Sequence, residues 1–140
     1  MDTPYRLVAE DSPDPADLAL LEDQVAAAAI AAAGLGDDQE FGIFIRDDGR
    51  IVAGISGIVW AGCCELQAMW VDPTLRGRGL ARRLMTAAEN KARQRGCTLV
   101  QFRAYDLLAP GLYERLGYQT VGVIEDCPVG STARWFRKDL

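Results

Sequence analysis

Apolar and polar residues alternate with two periods along this 140-residue chain, and the switches between them mark out the elements. Tyr5 to Ala9 reads as a short first strand. Asp14-Pro15 follows, a capping side chain ahead of a proline whose missing N–H costs nothing at a helix start. Leu18, Leu21, Val25 and Ala28 then recur at helical spacing, and Gly34 or Gly36 ends the run. FGIFIR (41–46), Asp47-Asp48-Gly49 and RIVAGISGIVW (50–60) predict a strand, a glycine turn and a second strand. Cys64 to Val71 predicts another strand, entered through Ala61-Gly62.

The stretch WVDPTLRGRGLARRLM (70–85) carries the chain from that strand into a helix. Leu80, Ala81, Leu84, Met85, Ala88 and Ala92 share one face of it. Arg82, Arg83, Lys91, Arg93 and Arg95 fall mostly outside that stripe, and Gly96 closes it. TLVQFRA (98–104) has the composition of a buried strand. Pro110 to Leu116 predicts a short helix capped at Gly117, and Tyr118 to Glu125 and Thr132 to Arg137 predict the last two strands. Strands joined by a long helix run parallel, and hairpins run antiparallel. The expected class is α+β: a single mixed, mostly antiparallel sheet of six to seven strands with helices on both faces, forming one domain over residues 1–140.

Composition removes several function classes. No apolar run approaches the ~20 residues of a membrane span; the least charged window, QVAAAAIAAAGLG (24–36), is too short and too rich in alanine. The opening MDTPYRLVAE lacks the basic and then apolar stretch of a signal peptide, so a cytoplasmic location is expected. The chain has no histidine, which excludes Ser–His and Cys–His nucleophile pairs and the commonest zinc ligand. Its four cysteines show no CxxC spacing, and adjacent Cys63 and Cys64 would point to opposite faces of a strand. Reduced, structural thiols and no metal are expected.

The net charge of -5 conceals a split: residues 1–72 carry -11 and residues 73–140 carry +6. An anion held by the later half and a cation drawn to the earlier one would explain it; so would salt bridges between the halves. Seven basic residues and one acidic residue lie between Arg76 and Arg95. A nucleic-acid binder is the third reading, and the acidic balance of the whole chain and the lack of interleaved aromatics argue against it.

The loop at Arg76-Gly77-Arg78-Gly79 fits neither familiar phosphate fingerprint. GxxxxGK[ST] has no match, and a dinucleotide fingerprint begun at Gly77 fails at Arg82. What remains is a strand, a glycine turn and a helix start, which aims backbone N–H groups and the positive end of a helix dipole at one spot and suits a pyrophosphate. Val71-x-Pro73 followed by Arg76-x-x-Gly79-x-Ala81 resembles the acetyl-CoA signature of the GNAT N-acetyltransferase superfamily. Ala109 to Tyr118 (APGLYERLGY) resembles that superfamily's second hallmark, an A-x-x-x-Y helix ending in glycine and an aromatic. The resemblance covers nearly the whole chain. It implies that the fourth and fifth expected strands are parallel and splay apart, with acetyl-CoA as co-substrate in the wedge. Met69, Trp70 and Val71 would bind pantetheine through their backbone, and Arg76, Gly77, Arg78, Gly79, Leu80 and Ala81 would wrap the pyrophosphate. A primary amine would then attack the thioester directly.

That reaction makes chemical demands. An alkylamine with a pKa near ~10 is protonated at neutral pH and must lose a proton. The thiolate leaving group, near ~8.5, gains from a hydrogen-bond donor. The motif assigns the second role to Tyr113, whose other reading is a packed tyrosine on an apolar helix face. Glu65, eleven residues before Arg76, is the base candidate, with ordered water as the alternative; strand alternation would place it on one face with Gln67 and Met69. Asp106 stands where the family often has a cofactor-contacting asparagine, and so either contacts the cofactor, caps the short helix or faces substrate. Expected partners are a small-molecule or peptide amine, with a bias to cationic ones from Asp37, Asp38 and Glu40, and a second copy of the chain, since paired subunits are frequent among relatives. The competing reading is a non-catalytic acyl-CoA-binding or regulatory module of the same fold.

Overall fold

The structure, a computed structural model, describes residues 4–140; the first three residues of the N-terminal stretch lie outside it. The chain divides into two units, Met1–Gly34 and Leu35–Leu140. In the first, helix α1 spans Pro15–Ala33. The Asp14 side chain accepts a hydrogen bond from the Ala16 N–H at 2.9 Å, and Gly34, at φ 66°, ends the helix in the left-handed conformation. Tyr5 to Ala9 is not a strand. Five residues of suitable composition gain little until a neighbouring strand accepts their hydrogen bonds, and composition does not say whether one is there.

The second unit holds one six-stranded sheet: β1 (Gln39–Asp47), β2 (Arg50–Trp60), β3 (Cys63–Val71), β4 (Leu99–Tyr105), β5 (Gln119–Glu125) and β6 (Thr132–Asp139). Their order is β1-β2-β3-β4-β6-β5. β3 and β4 are parallel and every other pair is antiparallel. Helix α2 (Leu80–Gln94) connects the parallel pair, and a short helix α3 (Leu112–Arg115) precedes β5. Asp48 and Gly49, at φ 50° and 79°, make the β1–β2 turn that the sequence predicts.

The core lies between α2 and one face of the sheet. Leu84, Met85, Ala88 and Ala92 pack with Ala53 and Ile55 of β2, Cys64 and Leu66 of β3, and Val100 and Phe102 of β4. Two irregularities shape the neighbourhood of β3. Ser56 pairs with Ala68 but Gly57 pairs with Leu66, so Gln67 is an extra residue in β3. Gly57 lies opposite this bulge, where a Cβ would stand 2.7 Å from the Phe41 ring and 2.8 Å from the Glu65 carbonyl.

The bulge corrects one expectation. Cys64, Leu66, Met69 and Val71 pair with Val59, Gly57, Ile55 and Ala53, and so share the core face. Glu65, Ala68 and Trp70 pair with Ile58, Ser56 and Gly54 on the other face. Glu65 and Met69 are therefore on opposite faces, because an inserted residue reverses the alternation beyond it.

Candidate active site

The ladder between β3 and β4 is short: Cys63 pairs with Leu99, Cys64 with Val100 and Glu65 with Gln101, and pairing stops there. β3 runs on to Val71 and β4 to Tyr105, so the two strands separate into a wedge. The backbone of β3 has a defined polarity within it. The Asp72 N–H donates to the Val52 carbonyl at 2.8 Å. Hydrogen-bonded and non-bonded pairs alternate in an antiparallel ladder, so Trp70 and Ala68 turn their N–H and C=O toward β2 while Val71 and Met69 turn theirs toward β4. Of Met69, Trp70 and Val71, it is Met69 and Val71 that present a strand edge to the wedge. The Arg76 Nε confirms the direction by donating to the Val71 carbonyl at 3.3 Å.

The glycine loop follows at the end of β3. Asp72 caps a single 3₁₀ turn, Pro73–Leu75, by accepting hydrogen bonds from the Thr74 N–H at 2.9 Å and the Thr74 hydroxyl at 2.7 Å. Those bonds hold the Asp72 carboxyl below its ordinary range. Gly77 and Gly79 adopt φ 76° and 79°, a region that side chains with a Cβ rarely enter. Gly79 caps α2 without a side-chain hydrogen bond, and no acidic residue stands in the first turn. The N–H groups of Gly77, Arg78 and Gly79 donate to no acceptor among the described residues. With the first amides of α2 at Leu80 and Ala81, they form a set of donors that suits an anion. A pyrophosphate fits this loop, and an extended pantetheine fits the edge at Met69 and Val71.

A cleft inside the wedge is lined by Gln67 and Met69 of β3, Phe102 and Arg103 of β4, and Tyr113, with Ile55 and Met85 as its floor. Tyr113 is on α3, which rests on the core face. Its ring centroid lies 4.6 Å from that of Phe102 and 5.3 Å from that of Phe136. Burial pushes its phenol above the usual tyrosine range, so the hydroxyl keeps its proton. Glu65 is exposed on the opposite face at the point where the wedge opens. The wedge thus has a phenol on one side of the sheet and a carboxylate on the other.

Asp106 is committed elsewhere. Both its oxygens accept from the Arg134 Nε, at 2.8 and 3.0 Å, and its N–H donates to the Thr132 carbonyl at 2.9 Å. It ties the end of β4 to the start of β6 and caps no helix, since α3 starts after Gly111 without a side-chain cap. The sequence groups Glu40 with Asp37 and Asp38, but only the sheet register brings it into line with Glu65. Glu40 pairs with Ile58, which pairs with Glu65, so the two carboxylates lie in one row on one face. Asp37 instead lines a hollow with Trp60, Gly62 and Arg95.

All four cysteines are free thiols. Burial pushes Cys64 from 9.0 up to about 12, and burial raises Cys97 as well, which leaves both poor nucleophiles. Among the described residues, no group of three or more His, Cys, Asp or Glu side chains is placed to hold a metal ion, and no helix is long and apolar enough to cross a membrane.

Residues 3–118 match the model of the acetyltransferase (GNAT) family. The chain is 38% identical over 93 residues to the blasticidin-S acetyltransferase of Streptomyces morookaense, a match covering 66% of this chain and 68% of that one. A proposed acetyltransferase from Agrobacterium tumefaciens superposes with a TM-score of 0.88 at 28% identity, covering 97% of this chain and 100% of the other. A proposed streptothricin acetyltransferase from Bacillus anthracis, solved with acetyl coenzyme A, shares the fold with a TM-score of 0.63 at 15% identity over 72% of this chain and 62% of its own.

Proposed function

The chain belongs to the acetyltransferase (GNAT) family and is an acyltransferase, and from that premise we propose that it moves an acetyl group from acetyl-CoA to a primary amine of a small molecule by direct attack on the thioester. The observation that carries this reading is the opening of β3 from β4 just past Glu65 and Gln101. Met69 on the free strand edge and Tyr113 both line the cleft in that opening, and the glycine loop follows the end of β3.

Acetyl-CoA supplies an activated acyl group on a good leaving thiolate. The chain's own residues do the rest. Gly77, Arg78, Gly79, Leu80 and Ala81 hold the pyrophosphate through backbone N–H groups, with Arg76 tied back to Val71. Met69 and Val71 pair with the pantetheine amides as a neighbouring strand would. Glu65 takes the proton of the incoming ammonium on its own face of the sheet. Tyr113 donates a hydrogen bond to the departing sulfur from the other face. A phenol with a raised pKa is too weak an acid to protonate that sulfur outright, and a hydrogen bond stabilises the charge without transferring the proton. Approach from one face and departure on the other keep amine and thiol apart.

The carboxylate row of Glu40 and Glu65 favours a cationic acceptor. The similarity to the blasticidin-S acetyltransferase supports an acceptor of the blasticidin-S kind. The test is thiol release from acetyl-CoA across a panel of cationic and neutral amines, and amine-dependent release is expected. Tight acetyl-CoA binding with no release for any amine would instead make the chain an acyl-CoA-binding module.

A further inference from the structure

We propose that Glu89, buried in the middle of α2, is a positioning residue for Tyr113. It lies among Leu84, Met85, Ala88 and Ala92, on the apolar face of the helix. Oε1 accepts a hydrogen bond from the Tyr118 hydroxyl at 3.1 Å and from the Lys138 Nζ at 2.8 Å, and Oε2 accepts from the same Nζ at 3.2 Å. Lys138 also donates to the carbonyl of Leu116, just past α3, at 3.0 Å. The Tyr118 N–H donates to the Tyr113 carbonyl at 3.0 Å. The rings of Tyr113 and Tyr118 stand edge to face at 6.5 Å, both against Phe102.

Helix α3 has four residues and no side-chain cap at its start. A helix that short does not fix its own side chains, because nucleation costs more than one turn returns. Its placement therefore depends on what grips it from outside. Glu89 grips it twice, through Lys138 at the Leu116 carbonyl and through Tyr118 at the Tyr113 ring and carbonyl. Glu89 is nine residues from Leu80, about 13 Å along the same helix axis whose first turn faces the anion loop. One rigid helix thus sets the distance between the loop and the tyrosine hydroxyl.

The inference rests on the reading that the Tyr113 hydroxyl acts on the departing sulfur. The test is a double-mutant cycle on kcat with Tyr113→Phe, Glu89→Gln and both together, alongside the acetyl-CoA dissociation constant. We expect Glu89→Gln to lower kcat roughly tenfold with acetyl-CoA affinity within about twofold, and the double variant to be no slower than Tyr113→Phe alone. If Glu89→Gln leaves kcat unchanged, or multiplies the loss of Tyr113→Phe as an independent effect would, Glu89 positions nothing. If Tyr113→Phe alone leaves kcat unchanged, the role of Tyr113 fails and this one with it. Should Glu89→Gln not fold, Tyr118→Phe removes one hydrogen bond, keeps the ring, and carries the same cycle with the same outcomes.

Discussion

Glu65 of β3 and Gln101 of β4 stand opposite each other at the last rung of the parallel ladder, where the wedge begins. If Glu65 is the general base of the proposed reaction, it acts on the amine and not on the cofactor's phosphates. Glu65→Gln should therefore lower kcat/KM for the amine by roughly 100-fold, the lower end of what a general base contributes. Acetyl-CoA affinity measured by calorimetry should not move. An unchanged kcat/KM would give the proton to solvent.

Gly79 sits at φ 79°, and a Cβ there would meet no atom within 4 Å. The cost of Gly79→Val is thus conformational, about 1–2 kcal/mol for a left-handed residue, and it falls on the loop that aims the N–H donors. Calorimetric titration should show a larger loss of acetyl-CoA affinity than for Arg82→Ala, whose charge acts through solvent. Equal, small losses would place the anion elsewhere.

Tyr113→Phe removes the hydroxyl and keeps the ring that packs on Phe102. Hydrogen bonds to charged groups are worth about 1.5–3 kcal/mol, so kcat should fall roughly 10- to 100-fold. The acetyl-CoA dissociation constant should stay within about threefold, since the bond strengthens only as the sulfur gains charge. Unchanged turnover would make Tyr113 a packing residue.

Glu40 lies two strands from Glu65 in the same row, roughly 10 Å away. Glu40→Gln should reduce kcat/KM for a dicationic amine by about threefold and leave a neutral amine unaffected, and the difference should shrink at 1 M salt, where the Debye length is about 3 Å. A reduction for both amines that salt does not touch would mean that Glu40 acts on the fold.

Alkaline stability offers a separate check. Cys64 keeps its proton to about 12 in the folded chain and releases it near 9.0 when exposed. Between those values the unfolded state binds fewer protons, so stability falls as pH rises, by up to about 1.4 kcal/mol per pH unit. The raised Tyr113 phenol adds the same sign above pH 10. Urea midpoints measured from pH 8 to 10.5 should decline from about pH 9, and Cys64→Ala should flatten that decline. An identical slope in the variant would assign it to other groups.

The sequence by itself determined the elements whose signals are local. Asp14-Pro15 and Gly34 bound α1, Asp48-Gly49 turns β1 into β2, and Gly77 and Gly79 mark the turn that leads into α2. It also placed Tyr113 and Glu65 on the elements that carry them. Even Glu89 left a trace, since it interrupts the apolar stripe of α2 between Ala88 and Ala92, where a charge is costly unless a partner is waiting.

Only the tertiary structure decided what depends on partners distant in the chain. The inserted Gln67 reversed the alternation that would have put Glu65 beside Met69, because a bulge is defined by the strand opposite and not by its own residue. Asp106 went to Arg134, twenty-eight residues on, and Glu89 to Lys138, forty-nine residues on. Tyr5 to Ala9, with the composition of a strand, did not become one. Spacing along the chain reports the period of a helix or strand and the chemistry of a turn; it does not report which strand lies alongside or which counter-charge is in reach. Those are settled only when the chain closes on itself, since each such contact must repay the entropy of bringing its two ends together.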